Sequence, residues 1–128
     1  MDLSFELSEI QMKEIKSFCL DYQNSYLIIA IDEYNDVFII ERKGQLTALF
    51  KEPVDLLPND DCRYLLWRNN CNKNNDLPEI LLFFWNPPIC DSERLLLYSS
   101  NLEYIKGFIS NLSDTLSFRS KSEFSKFL

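Results

Sequence analysis

The sequence contains no histidine and only two glycines in its 128 residues. Without histidine, a Ser-His-Asp triad and a histidine general base are excluded, as is a mixed Cys/His zinc site. A loop that cradles phosphate needs several closely spaced glycines, whereas Gly44 and Gly107 lie far apart in the chain. These absences exclude several common classes of catalytic and nucleotide-binding site.

Cysteines and paired acids offer little in place of those sites. The four cysteines form no C-x-x-C pair, and their spacing is poor for a four-cysteine zinc site. A catalytic cysteine needs a neighbour that lowers its pKa, and Cys62 beside Arg63 is the one candidate. A small apolar residue in a strand is the commoner role for such a cysteine, and adjacent acids such as Asp60 and Asp61 are usually solvated. We therefore expect a binding module without cofactor or metal, and not an enzyme.

Positive charge is also scarce. The chain has 13 lysines and arginines against 20 aspartates and glutamates, for a formal net charge of -7. This balance argues against nucleic acid and against anionic membranes as partners. The N-terminus "MDLSFELSEI" lacks the features of a signal peptide, and no apolar segment is long enough to span a bilayer. We expect a cytosolic monomer with reduced thiols.

Apolar runs and turn residues alternate along the chain, which predicts one folded domain over residues 1–128. A Ser-x-x-Gln capping box predicts a first helix from Ser8, and Gly44 is expected to end the hairpin of the first two strands. Pro53 is expected to interrupt the second helix. The predicted elements are a helix from Ser8, strands over Ser25–Ile31 and Asp36–Arg42, a short or bent helix over Leu46–Leu57, strands over Cys62–Trp67 and Glu79–Trp85, a helix over Asp91–Ile109, a strand over Leu112–Phe118 and a short C-terminal helix.

Several predicted strands are apolar at consecutive positions, so both faces of each strand must be covered. We therefore predict an α/β fold in which a central mixed sheet of about five strands is sandwiched between helices. In the longest helix, Ser100 and Glu103 repeat the capping spacing and predict a kink or a restart of the helix. Its predicted buried face consists of Leu95, Tyr98, Leu102, Ile105 and Ile109.

Three successive motifs resemble those of the actin-depolymerising factor/cofilin family. The stretch "LPNDDCRYLLW" (Leu57–Trp67) is similar to the family's L-P-x-x-D-C-R-Y turn into a strand. The strand "ILLFFWNPP" ends like the family's F-x-W-x-P, and "LLLYSS" stands where the family's long helix carries M-x-Y-A-S-S-K-D. The order of elements agrees with the family's fold, so the resemblance covers nearly the whole chain. It implies a single actin-depolymerising-factor homology domain.

The resemblance also implies a function. Family members are cytoplasmic proteins of the cytoskeleton that bind actin monomers and filament sides and promote filament disassembly or severing. By position, the implied monomer-binding surface is Asp2, Leu3, Ser4, Phe5, Glu93, Arg94, Leu95, Leu96, Asn101, Leu102 and Lys106. The implied filament-binding surface is Lys73, Arg119, Lys121 and Lys126. The family's regulatory serine lies near the N-terminus, which makes Ser4 the candidate for phosphorylation.

The long helix departs from the family's pattern at charged positions. Glu93 and Leu95 occupy slots that are basic in the family, and Leu102-Glu103 replaces Lys-Asp. Charge reversal at a contact weakens binding to an acidic partner such as actin. Either Leu95 and Leu96 replace charge with an apolar contact, or one of them faces the core.

A sister group, glia maturation factor, provides the alternative function. Its members share the fold but bind the actin-related-protein branching complex and remove filament branches without binding actin. The spacing of Cys90, Glu93, Leu96, Leu97 and Tyr98 is similar to that group's helix start, whereas "DDCRY" and "YSS" are cofilin-like. Both hypotheses therefore stand beside a third, a small enzyme on the same sheet, which would need a titratable pair in a deep pocket.

Overall fold

A computed structural model describes residues 9–21, 24–35, 37–69 and 79–127. Along the chain come a helix, two strands, a short helix, two more strands, a long helix, a fifth strand and a C-terminal 3₁₀ helix. This is the order that the sequence predicts. The elements are α1 (Glu9–Asp21), β1 (Asn24–Asp32), β2 (Val37–Gln45), α2 (Lys51–Leu56), β3 (Arg63–Asn69), β4 (Glu79–Trp85), α3 (Ser92–Lys106), β5 (Leu112–Phe118) and the 3₁₀ helix (Lys121–Phe127).

The five strands form one mixed sheet in the order β2-β1-β3-β4-β5. The first four strands pair antiparallel, so short turns can join β1 to β2. The pair β4–β5 is parallel and needs a long crossover, which α3 supplies. The predicted α/β fold with a mixed five-stranded sheet is confirmed.

Alternate residues of the central strands feed two separate cores. On one face of the sheet, Leu27 and Ile29 of β1 pack with Ile15 of α1 and Leu97 of α3. The intervening Ile28 points to the opposite face. That second core is completed by α2 and the 3₁₀ helix; its buried members include Phe50, Val54, Leu65, Phe83, Trp85 and Phe124. The prediction that helices cover both faces is confirmed.

Gly44 and Pro53 do not act as the sequence analysis predicts. Gly44 lies inside β2, and a Cβ at this position would stand 2.0 Å from Cε1 of the Tyr26 ring. The glycine therefore makes room for a packed aromatic ring instead of ending the hairpin. Pro53 is the third residue of α2, where the missing N–H would have no acceptor within the helix. It sits in the first turn of α2 and does not interrupt it, whereas the prediction that this helix is short is confirmed.

The long helix α3 is continuous from Ser92 to Lys106, so the predicted restart at Ser100 is wrong, while a kink there stays a prediction. The side chain of Asp91 caps its start by accepting a 2.9 Å hydrogen bond from the backbone N–H of Glu93. The predicted buried face is confirmed in part: Tyr98, Ile105 and Ile109 are buried as expected, whereas Leu97 and Asn101 are buried and Leu95 is not. Three consecutive leucines allowed more than one apolar stripe, and packing against the sheet selects Leu97.

Candidate functional site

The outward face of α3 carries an apolar patch flanked by acids. Glu93, Leu96, Ser100 and Glu103 are exposed and follow one another at steps of three and four, so they share one side of the helix. Leu96 is 56% exposed and its neighbour Leu95 is 36% exposed. Neither leucine is part of the core, which leaves both available to a partner. We call Glu93, Leu95 and Leu96 the α3 patch.

Arg94 lies on the opposite, sheet-facing side of α3. It precedes Tyr98 by four residues and Asn101 by seven, so all three share the buried side. Its Nε and Nη2 donate to the two carboxylate oxygens of Asp61 at 3.1 and 2.9 Å, and its Nη1 donates to Glu33 Oε1 at 2.8 Å. The guanidinium also lies over the Tyr98 ring, 5.3 Å from its centroid. The positive charge is therefore neutralised within the molecule.

Asp61 is shared between two arginines. Besides Arg94, it accepts a 2.9 Å hydrogen bond from Nη1 of Arg63, and Arg63 pairs in turn with Glu41 at 3.0 Å. Burial opposes ionisation of Asp61, but the hydrogen bonds from Arg94 and then Arg63 outweigh it and lower the pKa of its carboxyl. The chain Glu41–Arg63–Asp61–Arg94–Glu33, which we call the ion-pair chain, links β2, β3, the turn after β1 and the first turn of α3.

Two buried tyrosines fix the middle of α3 on the sheet. The Tyr98 hydroxyl accepts a 2.8 Å hydrogen bond from the backbone N–H of Ile31, and the Tyr64 hydroxyl donates to the carbonyl of Tyr98 at 2.5 Å. Burial raises the pKa of Tyr98 to about 12 and also raises the pKa of Tyr64. Both hydroxyls therefore remain protonated and serve as fixed hydrogen-bonding groups. Together with the ion-pair chain they set the orientation of the α3 patch.

A second polar surface lies around the end of β5. The Arg119 side chain is exposed, and it lines a shallow groove of about 480 Å³ with Pro87, Ile89 and Lys121. Lys126 is also exposed, and its Nζ stands 5.7 Å from the centroid of the Phe118 ring. Basic side chains thus remain accessible here, in contrast to the start of α3.

The chain matches a known protein family and is similar in sequence to a curated relative. The family model described as "Cofilin/tropomyosin-type actin-binding protein" matches residues 4–126. The chain belongs to this family. Actin-depolymerizing factor 11 of Oryza sativa subsp. japonica is 29% identical over 84 residues, which are 61% of this chain and 55% of that relative. The match thus spans about half the length of the relative.

Solved structures show how widely the cofilin fold is shared. Actin depolymerization factor 2 of Plasmodium berghei is similar with a TM-score of 0.84 at 18% identity, covering 99% of this chain and 97% of that one. Glia maturation factor of Caenorhabditis elegans has a TM-score of 0.80, also at 18% identity, with the same coverage of 99% and 97%. Both subgroups therefore share the fold, and the fold does not separate them.

The structure divides the monomer-binding residues that the cofilin resemblance implies. Glu93, Leu95 and Leu96 are brought together on the α3 patch. Asn101 is only 3% exposed, and its Nδ2 donates to the carbonyl of Leu97 at 2.8 Å. The expectation that it lies on the exposed face of α3 is therefore wrong. Arg94 is likewise removed from that face, because the sheet-facing side of α3 directs it to Asp61. The Leu102 side chain packs against the core, and Lys106 pairs with Glu103 at 3.3 Å.

Five of the residues implied by the resemblance lie outside the described ranges. They are Asp2, Leu3, Ser4, Phe5 and Lys73. Within those ranges, every helix is too short or too polar to cross a bilayer. No three side chains of histidine, cysteine, aspartate or glutamate converge there as metal ligands would.

Sequence reasoning missed the ion-pair chain and the meeting of Cys62 with Cys90, whose sulfur atoms lie 3.1 Å apart. The signal was present in "DDCRY", which carries Asp61, Cys62 and Arg63 in succession. Their partners come from α3 and from the β1–β2 hairpin. Local sequence does not show that these segments meet.

Proposed function

We propose that this protein binds actin through the α3 patch and promotes filament disassembly in the cytoplasm. The observation that carries the proposal is the exposure of Leu95 and Leu96 side by side on a helix that the ion-pair chain holds in place. Family membership over residues 4–126 supports actin as the partner. The matching family model describes an actin-binding protein, and we propose no catalytic role.

The contact we propose is apolar rather than cationic. Arg94 is occupied by Asp61 and Glu33, and Glu93 adds negative charge to the patch. Attraction of opposite charges therefore contributes little at this surface, whereas an exposed leucine can fill a partner's pocket and act as a hot spot. We expect association to be slower than for a cationic surface, since steering toward an acidic partner is weak at a net charge of -7.

Filament binding is proposed to use the accessible cations near the C-terminus. Arg119 and Lys126 supply positive charge beside the groove, and Lys121 stands next to them with its Nζ 3.5 Å from the carbonyl oxygen of Asp55. The contributions of Lys73 and of the N-terminal residues remain predictions from the family resemblance. So does phosphorylation of Ser4.

The experiment that tests monomer binding is a native-gel shift and a fluorescence titration with ADP-actin. Leu96→Glu should weaken binding at least tenfold, because a buried carboxylate replaces an apolar contact. Leu49→Glu is the matched control: Leu49 is 78% exposed and lies beside α2, on the far side of the sheet. Equal affinity of the two variants and the wild type would contradict the α3 patch as the binding surface.

Filament binding is tested separately by co-sedimentation. Arg119→Glu should reduce pelleting with filaments and leave the monomer affinity unchanged. Lys16→Glu, an exposed lysine on α1, should change neither. An Arg119→Glu variant that pellets like the wild type would exclude the C-terminal surface.

The alternative partner is the actin-related-protein branching complex. Glu93 and Leu96 are exposed on α3, and Arg94 is turned toward the sheet. This helix therefore lacks the cationic face that the cofilin pattern supplies, which favours the branching complex as the alternative partner. If the protein binds neither actin monomers nor filaments at tens of micromolar, the actin proposal fails. Pull-down of the branching complex, with Leu96→Glu as the negative control, would then decide for the alternative.

A further inference from the structure

Two cysteines from distant parts of the sequence meet beneath the start of α3. Cys62 lies directly before β3, and Cys90 lies two residues before α3. Their sulfur atoms are 3.1 Å apart; Cys62 is fully buried, whereas Cys90 is partly exposed. A disulfide bond joins its sulfurs at about 2.05 Å, so an approach of about 1 Å would bring the two atoms to bonding distance.

The surrounding backbone holds both cysteines in place. The N–H of Cys62 donates to Asp61 Oδ1 at 2.8 Å, and the N–H of Cys90 donates to the carbonyl of Pro87 at 3.0 Å. Asp61 adjoins Cys62 in sequence and binds Arg94, one turn beyond Cys90. The ion-pair chain thus positions the two thiols as well as the helix.

We propose that Cys62 and Cys90 are a modification site that forms a reversible disulfide under oxidising conditions. The oxidant is a small-molecule disulfide such as glutathione disulfide. The sulfur of the more accessible Cys90 attacks it first, forms a mixed disulfide and releases one glutathione. The sulfur of Cys62 then attacks the Cys90 sulfur and releases the second glutathione. The two thiol protons pass to the two glutathione thiolates, and the two electrons reduce glutathione disulfide.

The order of attack follows from the surroundings of the two thiols. Burial raises the pKa of the Cys62 thiol, and its contact with the Cys90 sulfur raises it further. Cys62 is therefore protonated and inaccessible in the reduced protein. It gives up its proton only as it attacks the Cys90 sulfur beside it, and the departing glutathione thiolate takes that proton. Cys90 is the thiol that reacts with the oxidant, and Cys62 is the resolving thiol.

The disulfide should stabilise the fold without changing the α3 patch. The bond would tie the N-terminal end of α3 to β3, in the position that the ion-pair chain already gives it. Glu93 and Leu96 are exposed to solvent, whereas Cys62 is fully buried. That the partner affinity is retained rests on the proposed function; formation of the bond does not.

Peptide mapping of the full chain tests the bond. After incubation with excess glutathione disulfide, alkylation and digestion without reductant, we expect a peptide pair that joins Cys62 to Cys90 and separates on adding dithiothreitol. The oxidised protein should melt roughly 5–15 °C above the reduced protein. Recovery of both cysteines in alkylated form, a lasting glutathione adduct on Cys90, or a crosslink through Cys19 or Cys71 would each overturn the proposal.

Matched variants separate this bond from other thiol chemistry. Cys90→Ser changes a partly exposed side chain, and it should abolish both the crosslink and the redox dependence of the melting temperature. Cys71→Ser should keep both. In a fluorescence titration with ADP-actin monomers, the oxidised and reduced wild type should bind within about twofold of each other. Loss of binding on oxidation alone would refute the unchanged patch, whereas no binding by either form would count only against the proposed function.

Discussion

Replacing Arg94 with methionine would show whether this arginine positions α3 or contacts a partner. Methionine keeps a long, flexible side chain and removes the charge. The change deletes two hydrogen bonds to Asp61, at 2.9 and 3.1 Å, and one to Glu33 at 2.8 Å. Two longer ones are also lost, to the carbonyl of Ile31 at 3.3 Å and to the Tyr98 hydroxyl at 3.4 Å. It also removes the stacking of the guanidinium on the Tyr98 ring.

The expected loss of stability can be worked out from these contacts. A hydrogen bond to a charged group contributes about 1.5–3 kcal/mol. Asp61 keeps Arg63 as a partner after the change, and the Glu33 pair contributes little because that carboxylate is 48% exposed. We therefore expect the free energy of unfolding to fall by about 2–3 kcal/mol, equivalent to roughly 7–12 °C in Tm.

Urea denaturation followed by circular dichroism measures this loss, with Arg119→Met as the control. Arg119 is exposed, so its replacement should change the free energy of unfolding by less than about 0.5 kcal/mol. Actin affinity is then measured well below the midpoint of the Arg94→Met transition, where the variant is folded, and should stay within about threefold of the wild type. Unchanged stability together with lost actin binding would refute the positioning role and return Arg94 to the binding surface.

Two further predictions concern packing and pH. Gly44→Ala places a methyl group 2.0 Å from the Tyr26 ring, so the free energy of unfolding in urea should fall by roughly 2 kcal/mol or more. Gln45→Ala, at an exposed neighbouring position, should lower it far less. Similar losses for the two variants would contradict the close packing. Burial opposes ionisation of Asp61, yet Arg94 and Arg63 lower the pKa of its carboxyl in the folded protein. Its contribution to stability is therefore complete above the unfolded-state pKa of about 3.9, and it is lost as the pH falls through the lower folded-state pKa. Asp61→Asn should therefore flatten the stability profile between about pH 5 and pH 2, and an unchanged slope would show that other carboxyls dominate acid unfolding.

Much of the fold could be predicted because its signals are local. The strand β4 was predicted with its observed bounds, Glu79–Trp85, since an uninterrupted apolar run ends at a proline pair. The strand β5 was likewise predicted as Leu112–Phe118. The errors fell where a residue's role depends on a distant neighbour. From the local sequence, Gly44 predicts the end of a hairpin; only the structure shows that the Tyr26 ring packs against it.

The candidate site was less predictable from sequence, because the three consecutive leucines of α3, Leu95 to Leu97, are equivalent there. Spacing placed Leu95 in the buried stripe, whereas contact with the sheet buries Leu97 and leaves Leu95 and Leu96 outside. The position of Arg94 could have been inferred from its spacing to Tyr98, which carries it to the same side. Its partner Asp61 could not, since the two residues are far apart in sequence.

By itself, the sequence determined the order of the elements, the two-sided cover of the sheet and the family resemblance, because these depend on hydrophobic period, turn residues and short motifs. Only the tertiary structure decided which charges and thiols meet. Asp61 can neutralise Arg94, and Cys62 can touch Cys90, only after β3 and α3 are packed together. That packing pairs the cation in the first turn of α3 with Asp61 and leaves leucine at the surface, so it determines the chemistry that α3 presents to a partner.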